Sequence, residues 1–161
     1  MKKSLLSLMV LTFSFGIFAQ INPHSIGLRL GGGNAFGTEI SYQRGLSDQN
    51  RLEVDLGIKT HKKYSGFNLA GIYQWIWPIE AGFNWYAGPG AQLGSWSWKS
   101  GYNGDDDGFY IGISGQIGIE YNFTEIPIQI SLDTRPGIGL INSHDDFIFD
   151  IALGLRYTIG Y

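Results

Sequence analysis

The sequence contains no cysteine. That absence excludes disulfide staples, thiolate metal sites and a lipid anchor built on an N-terminal cysteine. Proline is scarce, with 5 residues in 161. Positive charge is not in surplus: 11 Lys and Arg face 14 Asp and Glu, a net charge of −3. A nucleic-acid partner would ask for the reverse balance. Mean hydropathy is −0.03, so the chain holds no ordinary bundle of membrane helices, and no stretch after the N-terminus keeps a 3.6-residue apolar stripe. What is present in quantity is glycine, at 24 residues, and aromatic side chains, at 15 %. Together these suit strands and turns better than helices.

The one long apolar run is N-terminal. Lys2 and Lys3 precede a stretch from Leu5 to Ala19 that is broken only by Ser7, Thr12, Ser14 and Gly16. A basic start followed by a short apolar core is the layout of a secretory signal peptide, and the run is too short and too lightly flanked for a comfortable membrane span. Cleavage is expected after Ala19, with Ile17 at −3 a less typical residue for such a site. The alternative is an uncleaved anchor. Residues 1–19 are thus read as a signal peptide and 20–161 as one domain. Loss of Lys2 and Lys3 leaves 9 Lys and Arg against 14 Asp and Glu, a mature charge of −5.

After Gln20 the sequence reads in period 2, punctuated by Gly, Asn, Asp, Ser and Pro. The alternation predicts eight strands, at 24–32, 35–44, 51–60, 66–76, 83–94, 109–121, 127–138 and 147–161. In the last run the odd positions are Phe147, Phe149, Ile151, Leu153, Leu155, Tyr157, Ile159 and Tyr161, and the even ones include Asp150, Ala152, Gly154, Arg156 and Thr158. The third run sets Leu52, Val54, Leu56 and Ile58 against Arg51, Glu53, Asp55 and Lys59. The sixth and seventh repeat the pattern, with Glu120, Asp133 and Arg135 on the polar side.

Alternation does not say which face is inside. A soluble barrel hides the apolar face, and a membrane barrel shows it to lipid. Three features favour the membrane arrangement. Connections near 45–50, 77–82 and 122–126 are compact while 95–108 is long and polar, as when short turns lie on one side and loops on the other. Aromatic residues gather at strand ends, among them Tyr42, Phe67, Trp75, Trp77, Phe83, Trp85, Phe109, Tyr121, Phe147, Tyr157 and Tyr161, where interfacial girdles form. The runs are also long enough to cross a bilayer at a tilt.

The ending Ala152-x-Gly154-x-x-Tyr157-x-Ile159, closed by Tyr161, resembles the C-terminal assembly signal of bacterial outer-membrane proteins. The runs "IGLRLGGG", "EISYQRGL", "RLEVDLG", "FNWYAGPGAQLG", "GQIGIEYNF", "IPIQISLDTRPG" and "ALGLRYTIGY" resemble small porin-like or OmpX-like outer-membrane barrels. The resemblance covers nearly all of 24–161. It implies an all-β, eight-stranded antiparallel up-and-down transmembrane β-barrel with a cleavable N-terminal signal peptide, located in the outer membrane of a Gram-negative bacterium. It names no activity, because the fold hosts several.

The inward polar face is expected to hold Arg29, Glu39, Glu53, Asp55, Lys59, Glu120, Asp133, Arg135, Asp150 and Arg156. An eight-stranded barrel is just wide enough inside for side chains to fill, and a lone buried charge is costly, so these groups should pair. Folding back around Gly33 and Asn34 sets Arg29 opposite Glu39, and folding around Ser47 brings Glu39 near Asp55. A turn at Asn142 to Ser143 sets Arg135 opposite Asp150. Closure of the last strand on the first brings Arg156 toward Arg29, so Arg29 and Arg156 should neutralise Glu39, Glu53 and Asp55. The run Gly104-Asp105-Asp106-Asp107-Gly108 lacks the ligand spacing of a calcium loop and reads as solvated. Trp96, Trp98 and Tyr102 mark an interface or pack their loop, with sugar stacking as the rival reading. His24, His61 and His144 are too dispersed for a metal site, and Ser143 beside His144 makes no hydrolytic triad, since adjacent side chains diverge on an extended chain. The glycine sets Gly88, Gly90, Gly94 and Gly112, Gly115, Gly118 lead into no helix, so they relieve crowding rather than cradle phosphate.

The sequence therefore predicts a non-enzymatic barrel with a structural or surface-interaction role and no cofactor or metal. Its expected partners are outer-membrane lipids, the barrel-assembly machinery and an unknown extracellular ligand. A narrow channel for ions or very small solutes is the alternative, and an outer-leaflet lipid-modifying enzyme the third.

Overall fold

A computed structural model describes residues 21–33, 37–60, 64–98, 108–141 and 147–160. Ten hydrogen-bonded segments follow one another: β1 (His24–Gly33), β2 (Thr38–Gly45), β3 (Asn50–Thr60), β4 (Tyr64–Glu80), β5 (Phe83–Trp98), β6 (Gly108–Asn122), β7 (Ile128–Thr134), β8 (Gly137–Ile141), β9 (Phe147–Ile148) and β10 (Asp150–Ile159). β7 with β8, and β9 with β10, are each one stave broken by a short irregularity, so the barrel has eight staves. Each pairs antiparallel with its neighbour in sequence, and β10 closes on β1 from His24↔Ile159 to Gly33↔Asp150. Among the described residues the staves pair on both sides through the body of the barrel, the condition for strands to cross a membrane.

The polarity is inverted relative to a soluble barrel. Ile26, Leu28, Leu30, Ile40, Leu56, Ile113, Ile117, Leu132, Leu153 and Leu155 are exposed on the outer wall, while Arg29, Glu53, Asp55 and Arg156 are at most 1 % exposed. Among the described strand side chains the exposed charged ones are Arg44 and Glu80, both at the barrel end that carries the chain termini. Aromatic residues ring that end: Trp77 stacks on Trp85 at 4.2 Å between centroids, and Phe83 tilts on Tyr121 at 4.6 Å. Phe67, Phe109, Phe147 and Phe149 mark the opposite end.

Leu153 lies mid-stave and half-exposed, opposite Leu30 and Leu132. An arginine there faces hydrocarbon, so Leu153→Arg is expected to cost about 2–4 kcal/mol in lipid. Reversible unfolding from vesicles measures it; a cost near zero would contradict a lipid-facing wall.

The staves depart from the predicted runs in informative places. β2 starts at Thr38 rather than 35, and residues 34–36 lie outside the described part. β4 runs on through Pro78 to Glu80, accommodating the proline with a register shift at Pro78 to Glu80. Prolines are tolerated at such irregularities because no ladder donor is needed there. β5 contains Pro89, and its ladder with β4 passes from Ile72↔Gly90 to Trp75↔Ala87, skipping the pairs that would need the missing N–H. The seventh stave breaks at Arg135 and Pro136 and the eighth at Phe149.

The β4–β5 connection is a two-residue turn, with Ala81 at φ 47° and Gly82 at φ 89°. Two positive φ values define the type I′ hairpin turn, which prefers Asn-Gly. Ala81 therefore occupies the left-handed region at a cost that asparagine largely avoids. Ala81→Asn should stabilise the barrel by about 1 kcal/mol, read as a higher urea midpoint in detergent. Gly82 has no such freedom, because a Cβ there would lie 2.8 Å from the Asn122 carbonyl oxygen.

Candidate functional site: the lumen

Even spacing along each stave delivers the polar side chains inward, and the interior is narrow enough for them to meet across it. They form three tiers. Nearest the termini end, Arg51 pairs with Glu120 at 2.6 Å, and Asn84 and Asn122 donate to the other Glu120 oxygen at 3.3 and 3.2 Å. In the middle tier Glu53 accepts from Arg156 Nη2 at 3.1 Å, Gln43 at 2.5 Å and Gln116 at 3.0 Å. Arg156 spends its remaining donors on Ser41 at 2.9 Å and Ser131 at 2.8 Å. Gln74 links these two tiers, accepting from Arg51 Nε and donating to Gln116 Oε1 at 2.8 Å.

The third tier centres on Arg29. Its guanidinium reaches Glu39 at 2.9 Å, Asp133 at 2.6 Å and Asp150 at 2.7 Å. Arg135 reaches Glu39 at 3.0 Å and Asp55 at 2.6 Å. Two guanidinium groups thus serve four carboxylates. Tyr86 donates to Asp133 Oδ2 at 3.0 Å while Arg51 lies over its ring, 4.8 Å from the centroid, so one buried tyrosine ties the first tier to the third. Toward the far end Asn68 donates to Glu39 at 3.3 Å and accepts from the Tyr110 hydroxyl.

Of the residues named from the sequence, Arg29, Glu39, Glu53, Asp55, Glu120, Asp133, Arg135, Asp150 and Arg156 all lie in this buried network. The register sets Arg29 opposite Glu39. Two partnerships differ from the sequence reading. Asp150 accepts from the backbone N–H of Arg135 at 3.1 Å, but its charge partner is Arg29, and the Arg135 side chain instead crosses the lumen to β2 and β3. Asp55 is likewise neutralised by Arg135, and Arg156 serves Glu53 alone among the carboxylates. Ladder register fixes only which residues sit opposite one another. A long guanidinium in a narrow barrel reaches strands that are not its neighbours. The Lys59 side chain lies outside the described part.

Sequence reasoning set Arg51 on the polar face of the third run but left it out of the ionic network, and it left out the glutamines 43, 74, 116 and 129 and Tyr86 as network members. The parity that Arg51 shares with Glu53 and Asp55 was signal enough to include it. Tyr86 shares the parity of Asn84, on a stretch whose glycines hid the alternation.

The inward glycines are explained by what lies over them. A Cβ on Gly118 would be 2.6 Å from both Asp133 Cβ and the Tyr86 ring, and one on Gly94 would be 2.5 Å from the Tyr110 ring. Gly154, read from the sequence as part of the assembly signal, faces the lumen and leaves room for Ser131 and the Arg156 guanidinium. Gly115 departs from the crowding argument: a Cβ there would have its nearest neighbour at 3.8 Å. Tyr157 and Ile159 are exposed on the outer wall at 53 and 47 %, and Tyr161 lies outside the described residues.

The other singled-out residues divide the same way. Trp96 packs on Tyr110 at 6.2 Å between centroids, and His24 Nδ1 hydrogen-bonds the Tyr42 hydroxyl at 2.7 Å. Residues 104–107, Tyr102, His61, Ser143, His144 and the Trp98 side chain lie outside the described part, so the loop and Ser–His readings are not addressed by it.

No family model and no curated protein sequence matches the chain. Solved structures do match in fold. The crystal structure of Neisserial surface protein A superposes with a TM-score of 0.59 at 16 % identity, over 84 % of this chain and 94 % of that one. The N-terminal β-barrel domain of OprF from Pseudomonas aeruginosa gives 0.63 at 16 % identity, over 86 and 100 %. Both are eight-stranded outer-membrane β-barrels, and this chain has their fold.

Proposed function

We propose that the chain is an outer-membrane barrel exported through a signal peptide cleaved after Ala19, and that it works as a closed scaffold presenting its loops at the cell surface. The observation that carries this reading is the inverted wall around a lumen occupied by paired charges. The apolar exterior suits lipid, and the four arginines with their carboxylate and amide partners fill the space that a conduit would need. The partners that follow are lipids along the wall, the assembly machinery acting on the final stave with Tyr157 and Ile159, and a ligand at the loop end.

Reconstitution into planar bilayers tests the closed lumen. The expected result is no conductance above lipid background at moderate voltage. Sustained unitary steps would overturn it in favour of a narrow channel. That second reading rests on an open cleft of about 480 Å³ at the termini end, beside a separate small space lined by Arg51 and Glu120.

A further inference from the structure

Four of the five arginines are spent inside the lumen, and the fifth is on the wall. Arg44 points outward from β2 and is exposed. It makes no hydrogen bond and no ion pair among the described residues, and exposed Asp48 in the following turn is no exception. Its ladder partners are His24 on β1 and Leu52 on β3. The next pair toward the barrel end, Pro23 and Gly45, is a hydrogen-bonded one, since the Gly45 N–H donates to the Pro23 carbonyl at 2.9 Å. Pair types alternate along an antiparallel ladder. His24 and Arg44 therefore form a non-hydrogen-bonded pair, the kind whose side chains stand closest, with Cβ atoms about 4.5–5.5 Å apart.

Tyr42 completes the group, on the same outward face of β2 as Arg44. Its hydroxyl is 2.7 Å from His24 Nδ1, and the two rings stack with centroids 6.0 Å apart. That contact occupies Nδ1 and holds the ring, so Nε2 is the nitrogen left for another partner. With the hydroxyl donating to Nδ1, Nε2 carries the ring hydrogen; with a charged ring both nitrogens do. In both states Nε2 is a donor. Unspent donors thus gather on a wall that is otherwise apolar, among exposed Ile26, Leu52, Tyr157 and Ile159 on the neighbouring positions. The group lies at the barrel end ringed by aromatic side chains, and such girdles sit at the depth of the lipid headgroups. At that depth the anions within reach of a wall residue are lipid phosphates.

We propose that Arg44, His24 and Tyr42 form a seat for the phosphodiester of an anionic membrane phospholipid. The seat rests on the lipid-facing wall of the scaffold proposed above. The Arg44 guanidinium offers two parallel N–H donors, which match two phosphate oxygens. His24 Nε2 supplies another from the neighbouring stave, and Tyr42 keeps that ring turned to its task. A phosphate between the two basic side chains also removes the cost of setting like charges directly opposite each other when His24 is protonated. The acyl chains lie along Ile26, Ile40 and Leu56, which continue the same apolar face toward mid-wall. A zwitterionic lipid already pairs its phosphate with its own cation, so the seat favours a headgroup that has none. The occupant ties β1 to β2 beside the closure of β10 on β1.

Insertion is read first, so that the wall and the seat can fail separately. The chain is refolded into phosphatidylcholine vesicles and followed by heat-modifiable gel mobility. Absence of a folded band overturns the lipid-facing wall and the seat with it. The folded barrel is then transferred to detergent and titrated with phosphatidylglycerol or phosphatidylcholine, and native mass spectrometry counts the lipid retained. Phosphatidylglycerol should bind saturably, one per barrel, and more tightly than phosphatidylcholine. Arg44→Gln should weaken phosphatidylglycerol binding about tenfold, as expected for the loss of a charge-assisted contact. It should fold normally, because Arg44 holds no other group. Arg44→Lys should fall between, and His24→Gln should weaken binding by less than Arg44→Gln. Glu80→Gln, which changes net charge by the same amount in the opposite sense and lies two staves away on β4, should leave binding as it is. Equal retention of the two lipids would overturn the seat. So would unchanged binding by Arg44→Gln, or an effect of Glu80→Gln as large as that of Arg44→Gln. Displacement of phosphatidylglycerol by an equal concentration of inorganic phosphate would overturn the lipid as the occupant in favour of a free anion.

Discussion

Arg29→Ala should destabilise the folded barrel more than any other single change in the lumen. Arg29 is fully buried and holds three carboxylates, those of Glu39, Asp133 and Asp150, through five donor contacts between 2.6 and 3.0 Å. Removing one partner of a buried ion pair costs about 3–5 kcal/mol, chiefly because the other charge is stranded. Here four carboxylates are left with Arg135 alone, so the upper end of that range applies. Urea unfolding followed by heat-modifiable gel mobility, in detergent or vesicles, measures the loss. Arg156→Ala should cost less, since Glu53 keeps its donors Gln43 and Gln116. Arg29→Lys should fall between wild type and Arg29→Ala, because an ammonium keeps the charge but cannot span three carboxylates. Adding Glu39→Ala or Asp150→Ala to Arg29→Ala should recover part of the loss. Double-mutant cycles for these pairs should show coupling of about 0.5–3 kcal/mol. Strictly additive losses, or equal costs for Arg29→Ala and Arg156→Ala, would contradict the tiered network.

The contrast between these two arginines was not legible in the sequence, although much beneath it was. Alternation in residues 147–161 fixes which side chains share a face, and it places Arg156 and Asp150 together with Gly154 on the face opposite Leu153. Since a one-residue slip would turn that whole set outward, the pattern fixes polarity and excludes odd shifts of register. The opposition of Arg29 and Glu39 rests in addition on the turn signal at Gly33 and Asn34, and the β1–β2 register has that pair. Contacts across the lumen do not follow from strand register. Arg135 joins Glu39 and Asp55 because of barrel closure and side-chain length, and neither is a local property of the chain. Proline misled at one place. Pro78 lies past the predicted end of the fourth run at 76, yet β4 continues through it to Glu80 where the ladder shifts register, whereas Pro89 lies inside the fifth run as expected. Glycine was read in kind but not in partner: nothing in the residues around Gly118 says that the Tyr86 ring lies over it, because Tyr86 belongs to the neighbouring stave and meets Gly118 only once β5 and β6 pair.

That juxtaposition supports the second large effect. Tyr86 is fully buried and fills the lumen between the Arg51 guanidinium and Asp133. It can do so because Gly118, its ladder partner, has no side chain to occupy the same space. Gly118→Val should therefore be strongly destabilising, at about 3 kcal/mol, the upper end of the usual cost of overpacking. Tyr86→Ala should cost a similar amount or more, about 3–5 kcal/mol, through the cavity it leaves and the loss of the donor to Asp133. Combined, the two changes should not add. Valine at 118 moves into space the ring has vacated, so the double variant should lie closer to wild type than the sum of the single losses by a margin well outside measurement error. Tyr86→Phe separates volume from hydrogen bonding. It leaves Asp133 Oδ2 without its tyrosine donor, at about 1–3 kcal/mol, and keeps the ring in place, so it should give no relief to Gly118→Val. If Tyr86→Phe relieved Gly118→Val as well as Tyr86→Ala does, the coupling would run through the hydroxyl and Asp133 rather than through the packed ring. Full additivity of Gly118→Val with Tyr86→Ala would mean that the ring and the glycine do not share the space the structure gives them.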